Sequence, residues 1–258
     1  MAKPVTGAQL YTLREHVKTI KDIERTLARV REIGYSTVQA SGLGPVDPRE
    51  LAAVVRDSGL KVTGTHTSWE RLGGDLEHVI EEHKLLGCRH TALPWLPRTY
   101  CTEVGLKQLL AELAPVMAGL ATAGITLSYH NHHQEFVRHG RTSWLEALYA
   151  ATDPKLFKVE IDTYWVQAGG GDPAAWIARY PGRQPLLHLK DMVVSGTGDF
   201  PVRMAEVGEG NLNWPAIFSA AEKAGVEYMF VEQDDCYERD PFESLAISYR
   251  NLKAWGYP

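Results

Sequence analysis

The chain has 258 residues, 44% of them hydrophobic and 23% charged, and a formal net charge of −5. That balance suits one ordinary globular domain and lacks the clustered Lys and Arg that nucleic-acid binding requires. Cys88, Cys101 and Cys236 are odd in number and show no CxxC spacing, so neither a disulfide frame nor a thiolate zinc site is expected.

The first strand is predicted at Val5 to Thr12. Helical spacing follows through Val17, Ile20, Ile23, Leu27, Val30 and Ile33 and stops at Gly34. A second strand begins at Tyr35, and Asp47-Pro48 opens a helix that ends at Gly59. LKVTGTH is strand three, followed by a helix through LEHVIEEHKLLG. CRHTALPW is strand four, and the helix after it runs from Val104 to Ala121 with a kink expected at Pro115. ITLSYHNH is strand five, with a helix from about Ser143; LFKVEIDTYW is strand six, with a helix capped by Asp172-Pro173. QPLLHLKD is strand seven, and a loop from Met192 to Asn211 leads to a helix capped by Asn213. EYMFVEQD is strand eight, and Asp240-Pro241 caps a last helix reaching Trp255.

Eight strand–helix units of about 32 residues each imply parallel pairing and suit a single (β/α)8 TIM barrel over residues 1–258. No GxGxxG follows the first strand, which removes the main cue for a dinucleotide-binding sheet. No apolar run approaches a membrane span and the first ten residues lack a signal-peptide core, so a cytoplasmic protein without membrane contact is expected.

In such a barrel the chemistry lies where strands end. Strand five ends in His130, Asn131, His132, His133, Gln134 and Glu135; strand six in Glu160 and Asp162. Strand seven ends in His188, Lys190 and Asp191; strand eight in Glu232, Asp234 and Asp235. Such groups are costly to bury unpaired, and a divalent cation is the simplest common partner. An oxygen-rich set with one or two imidazoles suits manganese or magnesium. Period-two alternation puts Glu160 with Asp162, His188 with Lys190, and Glu232 with Asp234 on shared faces. It cannot place Glu135, which lies beyond the strand.

The segments QLYTLRE, YHNHHQEF, EIDTYWVQAGGGDP, LLHLKDM, EVGEGNLNW and VEQD resemble the xylose isomerase-like TIM-barrel superfamily, from Gly7 to about Trp255. The likeness is to its sugar phosphate isomerase/epimerase branch, which also includes inosose dehydratases and ketose 3-epimerases. The resemblance implies one divalent metal ion held by Glu135, Asp162, His188 and Glu232. Manganese is its first identity, with magnesium, cobalt or zinc as alternatives. It also implies that Glu135 and Glu232 exchange protons with the carbon beside a substrate carbonyl, through a metal-stabilised enediolate. Lys190, His132 and Glu160 are candidates to support the ligands. His66, Trp95, His132, Trp165 and Lys190 are the expected contacts to a small carbohydrate substrate, with Trp69 a further aromatic near a strand end. The implied activity is isomerisation or epimerisation of a keto-sugar or polyol. The same site could serve a lyase or dehydratase acting on an inosose or a 3-keto-glycoside. A homodimer or tetramer is usual in the family. A multi-zinc DNA repair enzyme is disfavoured because DTYW puts Trp165 where that class has a histidine. Glu206 to Gly210 is expected to shape a loop over the site. Asp172 stands where Gly169-Gly170-Gly171 would otherwise present a helix start to phosphate, which favours a substrate without phosphate.

Overall fold

Asp47, Asp172 and Asp240 each precede a proline, and each accepts backbone N–H groups from the first turn of a helix. Gly59, Gly87 and Gly225 take left-handed conformations just past the ends of three helices. The computed structural model describes residues 3–196 and 202–258.

The strands are β1 (Val5–Gln9), β2 (Thr37–Ala40), β3 (Lys61–His66), β4 (His90–Leu93), β5 (Thr126–His130), β6 (Phe157–Asp162), β7 (Leu186–Leu189) and β8 (Tyr228–Val231). All neighbouring pairs are parallel, and β1 pairs with both β2 and β8, so the sheet closes into a barrel. The helices are α1 (Ile20–Ile33), α2 (Pro48–Ser58), α3 (Trp69–Gly74), α4 (Leu76–Leu86), α5 (Glu103–Thr122), α6 (Trp144–Ala151), α7 (Thr163–Ala168), α8 (Pro173–Ala178), α9 (Trp214–Ala224) and α10 (Pro241–Ala254). The (β/α)8 expectation therefore holds. Leu27, Val30, Leu109, Leu113, Leu145, Leu148, Ile217 and Ala221 point from this outer ring onto the barrel and are buried. Each of the larger ones stabilises the fold by roughly 1.5–3 kcal/mol through area removed from water.

Inside the barrel, Phe230 fills space left by glycines. A Cβ on Gly7 would lie 2.9 Å from its ring, and one on Gly64 3.3 Å from it. The same interior carries a layer of buried polar side chains, Gln9, Gln39, Glu160 and His188.

Several boundaries differ from the sequence reading. β1 stops at Gln9, whose side chain accepts the Tyr11 N–H and starts a 3-10 turn over Leu10–His16. β6 stops at Asp162, and α7 begins at the next residue. α3 was not foreseen; Ser68 caps it. The expected loop from Met192 to Asn211 contains a hairpin, Asp191–Val194 antiparallel to Val202–Ala205. Valines at 193, 194 and 202 favour extended backbone there. Residues 197–201 of that expected loop lie outside the described residues. α5 continues through Pro115 as one helix of 20 residues. By length and a mean hydropathy of 1.3 over its best window it could cross a membrane, a property the sequence reading missed. It packs against β5, α3, α4 and α6, with Leu109, Leu113, Val116 and Leu120 buried.

Candidate metal centre and its cavity

Four strand ends deliver the site. Asp162 is the last residue of β6 and also the N-cap of α7. Its Oδ1 accepts the Trp165 N–H at 2.9 Å, and its own N–H donates to Asn131 Oδ1 at 3.0 Å. With both backbone and one oxygen fixed, Oδ2 faces the barrel axis. It lies 3.3 Å from His130 Nε2, 3.1 Å from Lys190 Nζ and 3.8 Å from His188 Nδ1. Glu232, just past β8, brings Oε2 within 2.9 Å of His188 Nδ1 and 2.8 Å of Lys190 Nζ. One donor atom from each of His130, Asp162, His188 and Glu232 falls within 4.8 Å of the others. All four side chains are buried.

The imidazoles are oriented from behind. His130 Nδ1 lies 3.3 Å from the Pro94 carbonyl, and His188 Nε2 lies 2.6 Å from Gln39 Oε1. With an N–H donated to each of those oxygens, His130 Nε2 and His188 Nδ1 are the nitrogens that would face a bound ion, the arrangement that metal-binding histidines use; without an ion, His188 Nδ1 donates to Glu232 Oε2. Two imidazoles and two carboxylates suit a divalent transition ion. Beneath them Glu160 is fully engaged: Oε1 accepts Gln39 Nε2 at 2.7 Å and Oε2 faces His66 Nε2 at 3.0 Å. A second set of donor atoms, His66, Glu160 and His188, is also close-set. The hydrogen bonds to Glu160 make it a floor for His188 and His66.

Electrostatics follow from burial without water. Burial lowers the His188 pKa, but Glu160 and Glu232 overcome it and push it up to about 10. Burial raises Asp162 and Glu232, and Lys190 together with His130 and His188 outweighs it, holding Asp162 below and Glu232 well below the usual carboxylate range. Lys190 is itself fully buried; burial opposes its charge, and Asp162, Glu232 and Asp234 keep it protonated. His66, lacking such support, is lowered by burial to about 4 despite Glu160. His132 is lowered by burial and by His130 to about 2, so its ring is neutral.

The structure thus brings together three of the four expected ligands, Asp162, His188 and Glu232, and puts His130 beside them. It seats Glu135 elsewhere. Glu135 is fully buried in a 3-10 turn, Gln134–Phe136, where it accepts the Tyr129 hydroxyl at 2.8 Å and the His132 N–H at 2.7 Å. The turn after β5 carries Glu135 off the inward face, whereas His130, the last residue of β5, still obeys the strand alternation. By sequence His130 is one of three histidines in that segment, beside His132 and His133. Gln39, which braces His188 and Glu160, and Gln9, which bonds Gln39 and faces His66, were missed because amides carry no charge signal.

Above the donor set is a cavity of about 450 Å³, lined by residues that include His66, Trp95, His130, His132, Trp165 and Glu232. Its size suits a monosaccharide. Two buried nitrogens in this lining, His132 Nδ1 and Trp165 Nε1, have no protein partner among the described residues. A larger hollow of about 700 Å³ at the opposite end of the barrel gathers no converging carboxylates. Of the other expected contacts, Lys190 lies below the cavity with its Nζ 5.4 Å from the centroid of the Trp165 ring. Trp69 donates to the Tyr100 hydroxyl at 3.2 Å and does not line the cavity.

Glu206 to Gly210 does not cover the site either. That segment wraps around Asp191, a fully buried carboxylate. Asp191 accepts N–H groups from Met192 (2.7 Å), Gly208 (2.9 Å), Gly210 (3.1 Å), Leu212 (3.3 Å) and the Trp214 indole (2.6 Å). A Cβ at Gly210 would lie 2.3 Å from Asp191 Oδ1, so only glycine fits that approach.

Residues 27–248 match the family model described as xylose isomerase-like TIM barrel. Among solved structures, a sugar phosphate isomerase/epimerase from Parabacteroides distasonis ATCC 8503 is 25% identical, with a TM-score of 0.80, covering 100% of this chain and 96% of that one. L-ribulose 3-epimerase is 21% identical at a TM-score of 0.72, with 100% and 95% covered. The probable 3-DHS dehydratase AsbF from Bacillus anthracis is 11% identical at a TM-score of 0.72, with 96% and 98% covered. At those identities the last two likenesses concern the fold alone. No curated protein matches the chain.

Proposed function

The chain belongs to the xylose isomerase-like TIM barrel family, and from that premise we propose a divalent-metal-dependent isomerase or epimerase acting on a small keto-sugar or polyol. The observation that carries this reading is the convergence of His130, Asp162, His188 and Glu232 on one point at the floor of a sugar-sized cavity. These four residues would hold the ion; manganese is preferred, with magnesium, cobalt or zinc as alternatives. When bound, the ion supplies polarisation of the substrate carbonyl and charge stabilisation of the enediolate. His130 replaces Glu135 in this set, so two carboxylates rather than three offset the ion's charge.

Glu232 reaches both the donor set and the cavity, and in this reading its carboxylate takes the proton from the carbon beside the carbonyl; isomerisation delivers it to the neighbouring carbon, and epimerisation requires a donor on the opposite face of the same carbon. Lys190 holds Glu232 and Asp162 ionised and in place. Glu135 is a positioning residue: through the His132 N–H it fixes the turn that aims His132 Nδ1 at the cavity. Trp165 Nε1 and His132 Nδ1 are then free to meet substrate hydroxyls, and the Trp95 and Trp165 rings to cover a C–H face. A lyase reading draws on the same atoms, because neutral His132 could protonate a leaving group.

Proton exchange tests the reading. Manganese-loaded protein in D2O, given a panel of ketoses, keto-inositols and 3-keto-glycosides, should place deuterium beside a carbonyl, with an epimer or isomer appearing by NMR. Loss of water or aglycone instead would turn the assignment to a lyase. Full exchange by Glu232→Gln, or exchange indifferent to removal of metal, would end the proposal.

A further inference from the structure

Arg14 stands at the mouth of this cavity, and among the described residues no carboxylate lies within ion-pair distance of it. It lies in the 3-10 turn Leu10–His16 that follows β1, and it lines the cavity together with Tyr11 and Ser41. Its guanidinium donates one hydrogen bond, to the Tyr11 carbonyl at 3.2 Å, and rests 4.8 Å from the centroid of the Tyr11 ring. Both residues lean on Gly42, where a Cβ would come within 3.0 Å of the Tyr11 ring and 3.2 Å of Arg14 Cβ. The side chain is half-buried. Among the described residues, the guanidinium is therefore held in position by neutral groups alone. The two acidic side chains in the lining pair elsewhere: Glu232 and Asp234 each lie 2.8 Å from Lys190 Nζ.

We propose that Arg14 binds a terminal oxyanion of the substrate, a carboxylate or a phosphate, at the end of the molecule away from the reacting carbonyl. This rests on the sugar-site reading above and narrows its substrate class to acidic keto-sugars. Topology supports the placement. The donor set comes from the ends of β5 to β8, and Arg14 from the end of β1, which lies between β8 and β2 on the rim of the barrel. A substrate whose carbonyl faces the donor set can extend its far end toward β1. A guanidinium fork matches the two oxygens of a carboxylate or phosphate, and a neutral hydroxymethyl group in that position leaves the charge unmatched. Gly169-Gly170-Gly171 does not supply this contact, because Asp172 occupies the helix start beside it.

The test compares D-fructose, D-fructuronate and D-fructose 6-phosphate, which differ only at the carbon farthest from the ketone end. Binding to the full chain is followed by tryptophan fluorescence and calorimetry, with and without manganese. The wild type should bind at least one of the two acids about tenfold or more tighter than D-fructose, and which acid wins identifies the oxyanion. Arg14→Gln should erase that preference and leave the D-fructose affinity as it was, and Arg14→Lys should keep part of it. Equal affinity for all three in the wild type, a preference that survives in Arg14→Gln, or an equal loss for fructose and acid in that variant would each overturn the proposal. An acid preference that disappears with Arg14 but ignores manganese would uphold it while removing the metal from the site. A wild type that binds none of the three would overturn the Arg14 proposal, while the deuterium-exchange panel above decides the sugar-site reading separately.

Discussion

Two aspartates at neighbouring strand ends are equally buried and do opposite things. Asp191 is surrounded by five N–H donors, four of them backbone and one an indole. None of those donors can lose a proton or move away without unravelling the loop. Asp162 has one backbone donor on Oδ1, and its other oxygen faces two imidazoles and an ammonium. The contrast shows that burial alone does not mark a chemically active carboxylate; the kind of partner does. Donors fixed in the main chain make a carboxylate part of the scaffold. Side chains that exchange protons or swing aside leave it able to accept a metal ion.

The sharpest way to stress this contrast is to remove the ammonium. Lys190→Met leaves Asp162, Glu232 and Asp234 facing one another in a buried site. It should cost about 3–5 kcal/mol in urea unfolding of metal-free protein, and manganese should restore most of that loss. An equal deficit with and without manganese would mean that no ion enters among these carboxylates. Asp191→Ala comes next. Its stranded N–H groups should lower stability by about 2–4 kcal/mol and leave manganese affinity unchanged by calorimetry. A fall in affinity there would erase the distinction between the two aspartates.

A finer comparison sets His130 against Glu135. His130→Ala should weaken manganese binding by at least about 10- to 100-fold, and Glu135→Gln should weaken it far less while loosening the turn after β5. The reverse order would return Glu135 to the ligand set. The smallest effect is the response of metal-free protein to pH. Asp162, Glu160 and Glu232 are held below their unfolded values, so their stabilisation is full above about pH 5 and is lost as pH falls below the usual carboxylate range near 4 toward their lowered folded values. His188 is raised, so its contribution is full below about 6.5 and is lost as pH rises through about 10. Melting temperature should therefore form a plateau that falls on both sides, and a steady rise into alkali would contradict the His188–Glu232 pairing.

Much of this was legible in the sequence. The alternation of strand and helix and the Asp-Pro caps located the barrel and its strand ends, and the family resemblance picked Asp162, His188 and Glu232 from the residues gathered there. What was hidden has physical reasons. His130 against Glu135 turns on a tight turn that begins after β5, where strand alternation no longer reports direction. Asp191 looked like one more acidic strand end, because four of its five donors are backbone N–H groups, of Met192, Gly208, Gly210 and Leu212, that no side-chain pattern announces. Gln9 and Gln39 act through hydrogen bonds alone. The hairpin at Asp191–Val194 was obscured by Gly196, Gly198 and Pro201 in the intervening sequence, which read as loop.

The junction between β6 and α7 has a consequence for how this barrel can change over evolutionary time. At other corners of the mouth there is chain to spare: residues 41–47 separate β2 from α2, and residues 190–213 separate β7 from α9. After β6 nothing intervenes, since Asp162 closes the strand and caps the helix. An inserted or deleted residue there would displace the carboxylate and unwind α7 at once. Novelty in what the pocket accepts must therefore arise at the longer corners, where loops tolerate new lengths, while this one stays frozen in length.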